Sequence, residues 1–169
     1  VFLSIIYELT YYLFLGTRIK QVINGILVAL TCVAIMLVPF KFIPGVVFDT
    51  RSILISVAAL IFGPVTTIIA IVPAIVFRLL YGGIGSLPGA AVILTSAIIG
   101  LIWRRWLYPK TMKLRWFNVY IMGLFVHITM MACMFLLPFP DSAIVVREIA
   151  LPVMIIYPVA TVLLYLLLT

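Results

Sequence analysis

The sequence predicts an all-α fold, a polytopic membrane helix bundle of six to seven helices. Three observations lead there. Of 169 residues, 67% are hydrophobic and 9% charged, where a soluble domain carries about 25% charged residues. Apolar runs of roughly 17 residues or more, long enough to approach a bilayer crossing, recur along the whole chain. These runs are uniformly apolar, without the alternation of polarity that a membrane barrel needs.

Each element follows in order. Val1 to Gly16, closing on Arg18 and Lys20, reads as the tail of a span. A second span runs from about Val22 to Val38 and stops at Pro39. A polar-edged connector covers Pro39 to Thr50, and two apolar segments follow, Arg51 to Phe62 and Pro64 to Leu80. As one rod, Ser52 to Leu80 would be roughly 43 Å long, too long for a hydrocarbon core of about 30 Å without strong tilt. Proline suits the first turn of a new helix and glycine the end of the previous one. Gly63-Pro64 therefore predicts a short helical hairpin at Arg51-Leu80, buried inside the bundle, where a non-spanning element is tolerated. The glycines of Gly82-Gly83-Ile84-Gly85 predict a turn. Spans follow from Leu87 to about Trp106, from Trp116 to Leu137, and from about Ile144 to the end, with loops at Arg104–Arg115 and Pro138–Ser142. Pro73, Pro152 and Pro158 predict kinks. The chain lacks an initial Met and stops within a Leu-rich run, so it is read as one domain, 1–169, excised from a longer protein; no basic stretch precedes the first apolar run, so no cleavable signal peptide is expected.

Small residues at four-residue spacing let membrane helices approach closely. Ser52/Ser56, Thr66/Ala70/Ala74, Gly85/Gly89 and Ser96/Gly100 place the three middle segments at the tight centre of the bundle. Five of the eleven basic residues, Arg104, Arg105, Lys110, Lys113 and Arg115, fall in one loop. That clustering places the loop, and with it the C-terminal end, in the cytoplasm. It is the reason the net charge of +7 does not argue for nucleic acid. The remaining charges do not decide between hairpin and rod, since both arrangements divide the basic residues seven against four.

Chemistry concentrates in few positions. Arg51 and Arg78 bracket a stretch, Ser52 to Phe77, without any charge. Arginine facing a membrane interior is costly and usually partnered. The ordinary alternative is that both snorkel to the headgroups, with Asp49 as partner to Arg51. If the chain reverses at Gly63, both guanidinium groups reach the same rim of the bundle. Their planar forks then suit a small anion, reinforced by the N-terminus of the helix that Arg51 opens. Asp49, Gly82, Gly83, Ser86 and Gly89 complete the candidate binding set. His127 is expected to be a buried histidine hydrogen-bonded to a neighbouring helix, with a ligand role as the alternative. Glu8 is expected near an interface or bonded within the bundle, and Asp141 is expected to pair with Arg147. Cys32 and Cys133 lie in apolar runs and read as small hydrophobes. No metal spacing, paired intramembrane carboxylates, nucleotide loop or catalytic triad is present, so neither a cofactor nor an enzymatic activity is expected.

Phe48-Asp49-Thr50-Arg51-Ser52, then Gly63-Pro64, then Phe77-Arg78 and Gly82-Gly83, resembles the multi-span receptor domain of the LytS/YhcK type, five-transmembrane domains of bacterial sensor histidine kinases and diguanylate cyclases. The likeness is carried by Phe48 to Gly100. It departs at Phe62, where a second glycine often stands, and at Leu79, where an aromatic often follows the arginine. The resemblance implies an input domain in the bacterial cytoplasmic membrane that binds a small molecule, such as the carboxylate pyruvate, with Arg51 and Arg78 as the clamp. It also implies a cytoplasmic output domain in cis, and a homodimer if that output is a kinase or cyclase. The domain is similar as well to the substrate-binding subunits of energy-coupling-factor transporters. A transporter subunit is therefore the rival reading, and a plain membrane anchor is a weaker one, since an anchor needs neither buried arginines nor a glycine turn.

Overall fold

The computed structural model describes residues 16–37, 40–43, 46–48, 50–107, 115–138 and 141–169. Helix α1 spans Thr17–Leu37. A small antiparallel hairpin follows, β1 at Phe40–Ile43 and β2 at Val46–Phe48. Then come α2 at Arg51–Phe62, α3 at Pro64–Tyr81, α4 at Ser86–Trp106, α5 at Trp116–Met134 and α6 at Asp141–Leu167. Five helices are long and apolar enough to cross a membrane, and α2 is the shorter apolar one. The helical bundle agrees with the sequence expectation. The connector from Pro39 to Thr50 does not, because it contains the hairpin, in which Phe40 pairs with Phe48 and Lys41 with Val47. Its aromatic and β-branched residues favour strand, and outside a helix the backbone groups need one another as partners.

The short helix is the axis of the bundle. Arg51 to Ile61 are all buried, whereas α3 and α6 each bury 28% of their membrane windows. At twelve residues, α2 rises only about 18 Å, too little to cross. Gly63 ends it with φ 85° and ψ −172°, a conformation essentially confined to glycine. Its N–H donates to Ala59 O at 3.2 Å. Pro64 opens α3 at a position where its missing N–H costs nothing, and Thr67 Oγ1 donates to Gly63 O at 2.8 Å.

Contacts with α4 fix the directions. Gly100 packs directly on the backbone carbonyl of Ser56 and on Ala59. Four residues on, Arg104 Nη1 donates to Leu60 O at 2.7 Å and Ile61 O at 2.6 Å. Helices α2 and α4 therefore run parallel, with Ser56 level with Gly100 and Leu60 level with Arg104. At the other end of α4, Gly89 lies against the Arg78 side chain, so α3 runs the opposite way. The chain reverses at Gly63 as the sequence predicts. Arg104 is not a loop residue as expected; it lies within α4 and caps the orphaned carbonyls of α2.

Small residues seat the other contacts. Gly25 of α1 meets Ile69 and Thr66 O of α3, and Thr66 Oγ1 donates to Gln21 O at 3.0 Å. Gly123 of α5 meets Pro158 and Thr161 of α6. On α3, Thr66, Ala70, Ala74 and Arg78 form one buried stripe, while Val65, Ile68, Val72, Val76 and Leu80 are exposed and suit the lipid. The expectation that three segments share the centre is thus corrected: α2 holds it, and α3 presents a wide face outward.

The expected first span, Glu8, Lys110, Lys113 and the Asp141–Arg147 pairing lie outside the described residues or side chains.

Candidate functional site

Arg51 is 5% exposed and Arg78 2%, so both side chains are enclosed by the protein. Their depths differ. The α2–α4 register places Arg51 level with Thr95, nine residues into α4, or about 13 Å below its Ser86 end. Arg78 is level with Gly89, only about 5 Å below that end. Both arginines thus occupy the Ser86 half of the bundle. Their backbones stand at different depths, Arg51 deep and Arg78 near the mouth, with about 9 Å of helix rise between them.

The stripe on α3 turns Arg78 inward, since positions four apart share a face. A Cβ at Gly89 would stand 2.5 Å from Arg78 Nε, so the guanidinium arm lies where any larger residue would be. Arg78 Nη1 reaches Gly82 O at 3.5 Å. Gly82, with φ 72°, ends α3, and Gly83, with φ 85°, continues the turn. Of the candidate set, Arg78, Gly82 and Gly89 are therefore brought together. Gly83 lies in the exposed turn, and Ser86 is half-buried at the start of α4. Asp49 lies outside the described residues. Thr50, ahead of Arg51, makes no side-chain cap, so the positive end of the α2 dipole is aimed into the same half of the bundle.

Ser52, one residue beyond Arg51, links this turn to the rest of the bundle. Its Oγ lies 3.3 Å from His127 Nε2. His127 Nδ1 lies 2.6 Å from Gly123 O. A carbonyl only accepts, so Nδ1 carries the proton, and Ser52 donates to Nε2. The ring meets Tyr157 of α6 edge-on, centroids 5.0 Å apart. His127 is fully buried and is the interhelical histidine that the sequence suggests. Sequence reasoning did not identify its partners; the small-residue stripe had marked Ser52 only as packing.

Three enclosed side-chain atoms make no hydrogen bond: Arg51 Nη1, Arg78 Nε and Ser96 Oγ. Both arginines have other contacts. All three residues lie between the Ser86 end and the middle of the bundle, by the register given above. Among the described residues no group of three or more His, Cys, Asp or Glu side chains is placed to hold a metal. A cavity of about 550 Å³ lies at the opposite end, lined by Ile102, Trp103, Arg105, Trp106 and Leu107. It is remote from the arginines, and its aromatic and apolar lining suits the membrane interface.

A comparison with family models matches residues 5–169 to the receptor domain described as 5TMR of 5TMR-LYT. The chain belongs to this family. The 5TMR-LYT domain is a membrane sensory domain and not a catalytic one, and the family agrees with the resemblance carried by Arg51, Gly63-Pro64, Arg78 and Gly82-Gly83. Searches of curated proteins and of solved structures return no significant match, so the likeness to energy-coupling-factor subunits gains no support. The five long helices of the 5TMR-LYT domain make it a multi-pass membrane protein.

Proposed function

We propose that this sensing input domain binds a small carboxylate between Arg51 and Arg78, entering from the Ser86 end. One observation carries the reading: two arginines, 5% and 2% exposed, are buried in the same half of an apolar bundle, where their planar donor forks suit a carboxylate. The buried N-terminus of α2 adds to the attraction. The basic residues at the Arg104 end argue that this end is cytoplasmic. The ligand then arrives from the outer face, and α6 ends on the side of a kinase or cyclase output domain. Binding biases that output only by favouring one arrangement of helices over another, and Pro152 and Pro158 place the pliable part of α6 beside α5.

Calorimetry in detergent tests the reading. Pyruvate and other short oxo, hydroxy and dicarboxylic acids serve as titrants for the wild type, Arg51→Ala and Arg78→Ala. Heat of binding in the wild type and its loss in both variants is expected; unchanged affinity in both would end the clamp.

A further inference from the structure

We infer that Ser96 is a third contact of the ligand, and that the ligand is a short acid bearing a second oxygen function. The inference deepens the carboxylate reading above and depends on it.

The argument begins with how hydroxyls behave in this bundle. Within an apolar medium a helical Ser or Thr satisfies its hydroxyl on the carbonyl three or four residues back. Thr31 does so on Leu27 at 2.8 Å, Thr67 on Gly63 at 2.8 Å, Thr161 on Tyr157 at 2.8 Å and Ser56 on Ile53 at 3.0 Å. Thr95, the immediate neighbour of Ser96, donates to Ala91 at 2.9 Å. Ser96 is 1% exposed and its Oγ makes no such bond. An enclosed hydroxyl without a partner is unfavourable, and the usual remedy lies one rotamer away. Ser96 Oγ is instead enclosed without a bond to its own helix.

Position gives that hydroxyl a purpose. Ser56 is level with Gly100 and Leu60 with Arg104, so Ser52 is level with Ser96. Ser96 thus stands opposite the first turn of α2, one residue from the depth of Arg51. It also stands seven residues, two helical turns, beyond Gly89, on the same face of α4; both are buried. Gly89 holds the Arg78 arm. Arg78 near the mouth, and Arg51 beside the Ser96 hydroxyl about 10 Å of helix rise deeper, mark the two ends of the site. A carboxylate held by Arg51 stands beside Ser96, so the group on its neighbouring carbon comes within reach of the hydroxyl. A carbonyl, hydroxyl or second carboxylate there completes the hydroxyl's hydrogen bonding; a bare alkyl chain does not.

The test uses two readouts. Wild type and Ser96→Ala are titrated with pyruvate, lactate and succinate, and with butyrate as the acid lacking a second oxygen. Thermal unfolding of both is followed without ligand. Ser96→Ala is expected to weaken at least one oxygen-bearing acid about tenfold, leave butyrate unchanged, and keep or raise the ligand-free Tm, because it removes an unsatisfied buried group. A lower ligand-free Tm would show that Ser96 has a structural partner and overturn the inference. Binding that Ser96→Ala leaves intact, or weakens equally for all acids, overturns it while the arginine clamp stands. A wild type that binds none of the acids overturns both.

Discussion

Gly89 shows how one absent side chain sets the place of another. Its Cβ position is occupied by the Arg78 arm, so Gly89→Ala must push the guanidinium aside. The expected outcome is a loss of carboxylate affinity of about tenfold or more, with Tm changed little, since the arm is flexible. Arg51→Lys is expected to fail as a replacement, because an ammonium lacks the planar fork that grips a carboxylate at two points. Titration of each variant checks both statements. Substituting His127 with Ala has a different effect. It removes the ring acceptor of Ser52 Oγ, leaving only the weak contact to Met130 Sδ at 3.9 Å, and should lower stability by about 1–3 kcal/mol, measured by thermal unfolding in detergent. The two arginines were legible as lone charges at the ends of an uncharged stretch, and Gly89 as part of a small-residue pair. The roles of Ser52 and Ser96 were not, because where a hydroxyl points is decided by the neighbouring helices.

The short α2 depends on its two ends. Gly63 is held at φ 85° and ψ −172°, and its Cβ would stand 3.0 Å from Arg104 Nε. Gly63→Ala therefore adds backbone strain of about 1–3 kcal/mol and crowds the cap; a lowered Tm, with carboxylate affinity reduced as well, is the expected result. Arg104→Ala leaves Leu60 O and Ile61 O without their donor, and Arg104→Lys should recover part of the lost Tm, since one ammonium can reach one of the two carbonyls. The reversal itself was readable from Gly63-Pro64 and the length argument. Its cap was not. A contact across forty-odd residues leaves no local pattern, and the cluster of basic residues had a sufficient explanation in loop placement. The hairpin at Phe40–Phe48 was missed for another reason: its strands are too short for periodicity to rise above a polar-edged connector.

At the scale of the whole bundle, the reversal at Gly63 decides what charge counting left tied, and from α3 onward the crossings place residues 81 and 135 on one face and residue 116 on the other. Tyr81, Phe135 and Trp116 are all exposed, while Cys32 and Cys133 are buried and should stay unlabelled. Cysteines placed at positions 81 and 135 are expected to react with an impermeant reagent from one side of sealed vesicles only, and one at 116 from the other side only. Labelling of 81 and 116 from the same side would overturn the crossing order. The helix number and approximate bounds were legible because long apolar runs admit few foldings. Which helix occupies the centre was not, since α2 and α3 are equally apolar and only packing tells them apart.

The depth of Arg51 also has an electrical consequence. An anion descending from the Ser86 end to Arg51 traverses about 13 Å of the roughly 31 Å rise of α4, some two-fifths of the transmembrane voltage drop. One elementary charge crossing the full drop is worth about 2.3 kcal/mol per 100 mV, so this descent is worth up to about 0.9 kcal/mol. In a cell energised negative inside, occupancy from outside should weaken by up to about fivefold per 100 mV, and a potassium diffusion potential across proteoliposomes would reveal it. Such a receptor would report its ligand weighted by the energetic state of the membrane.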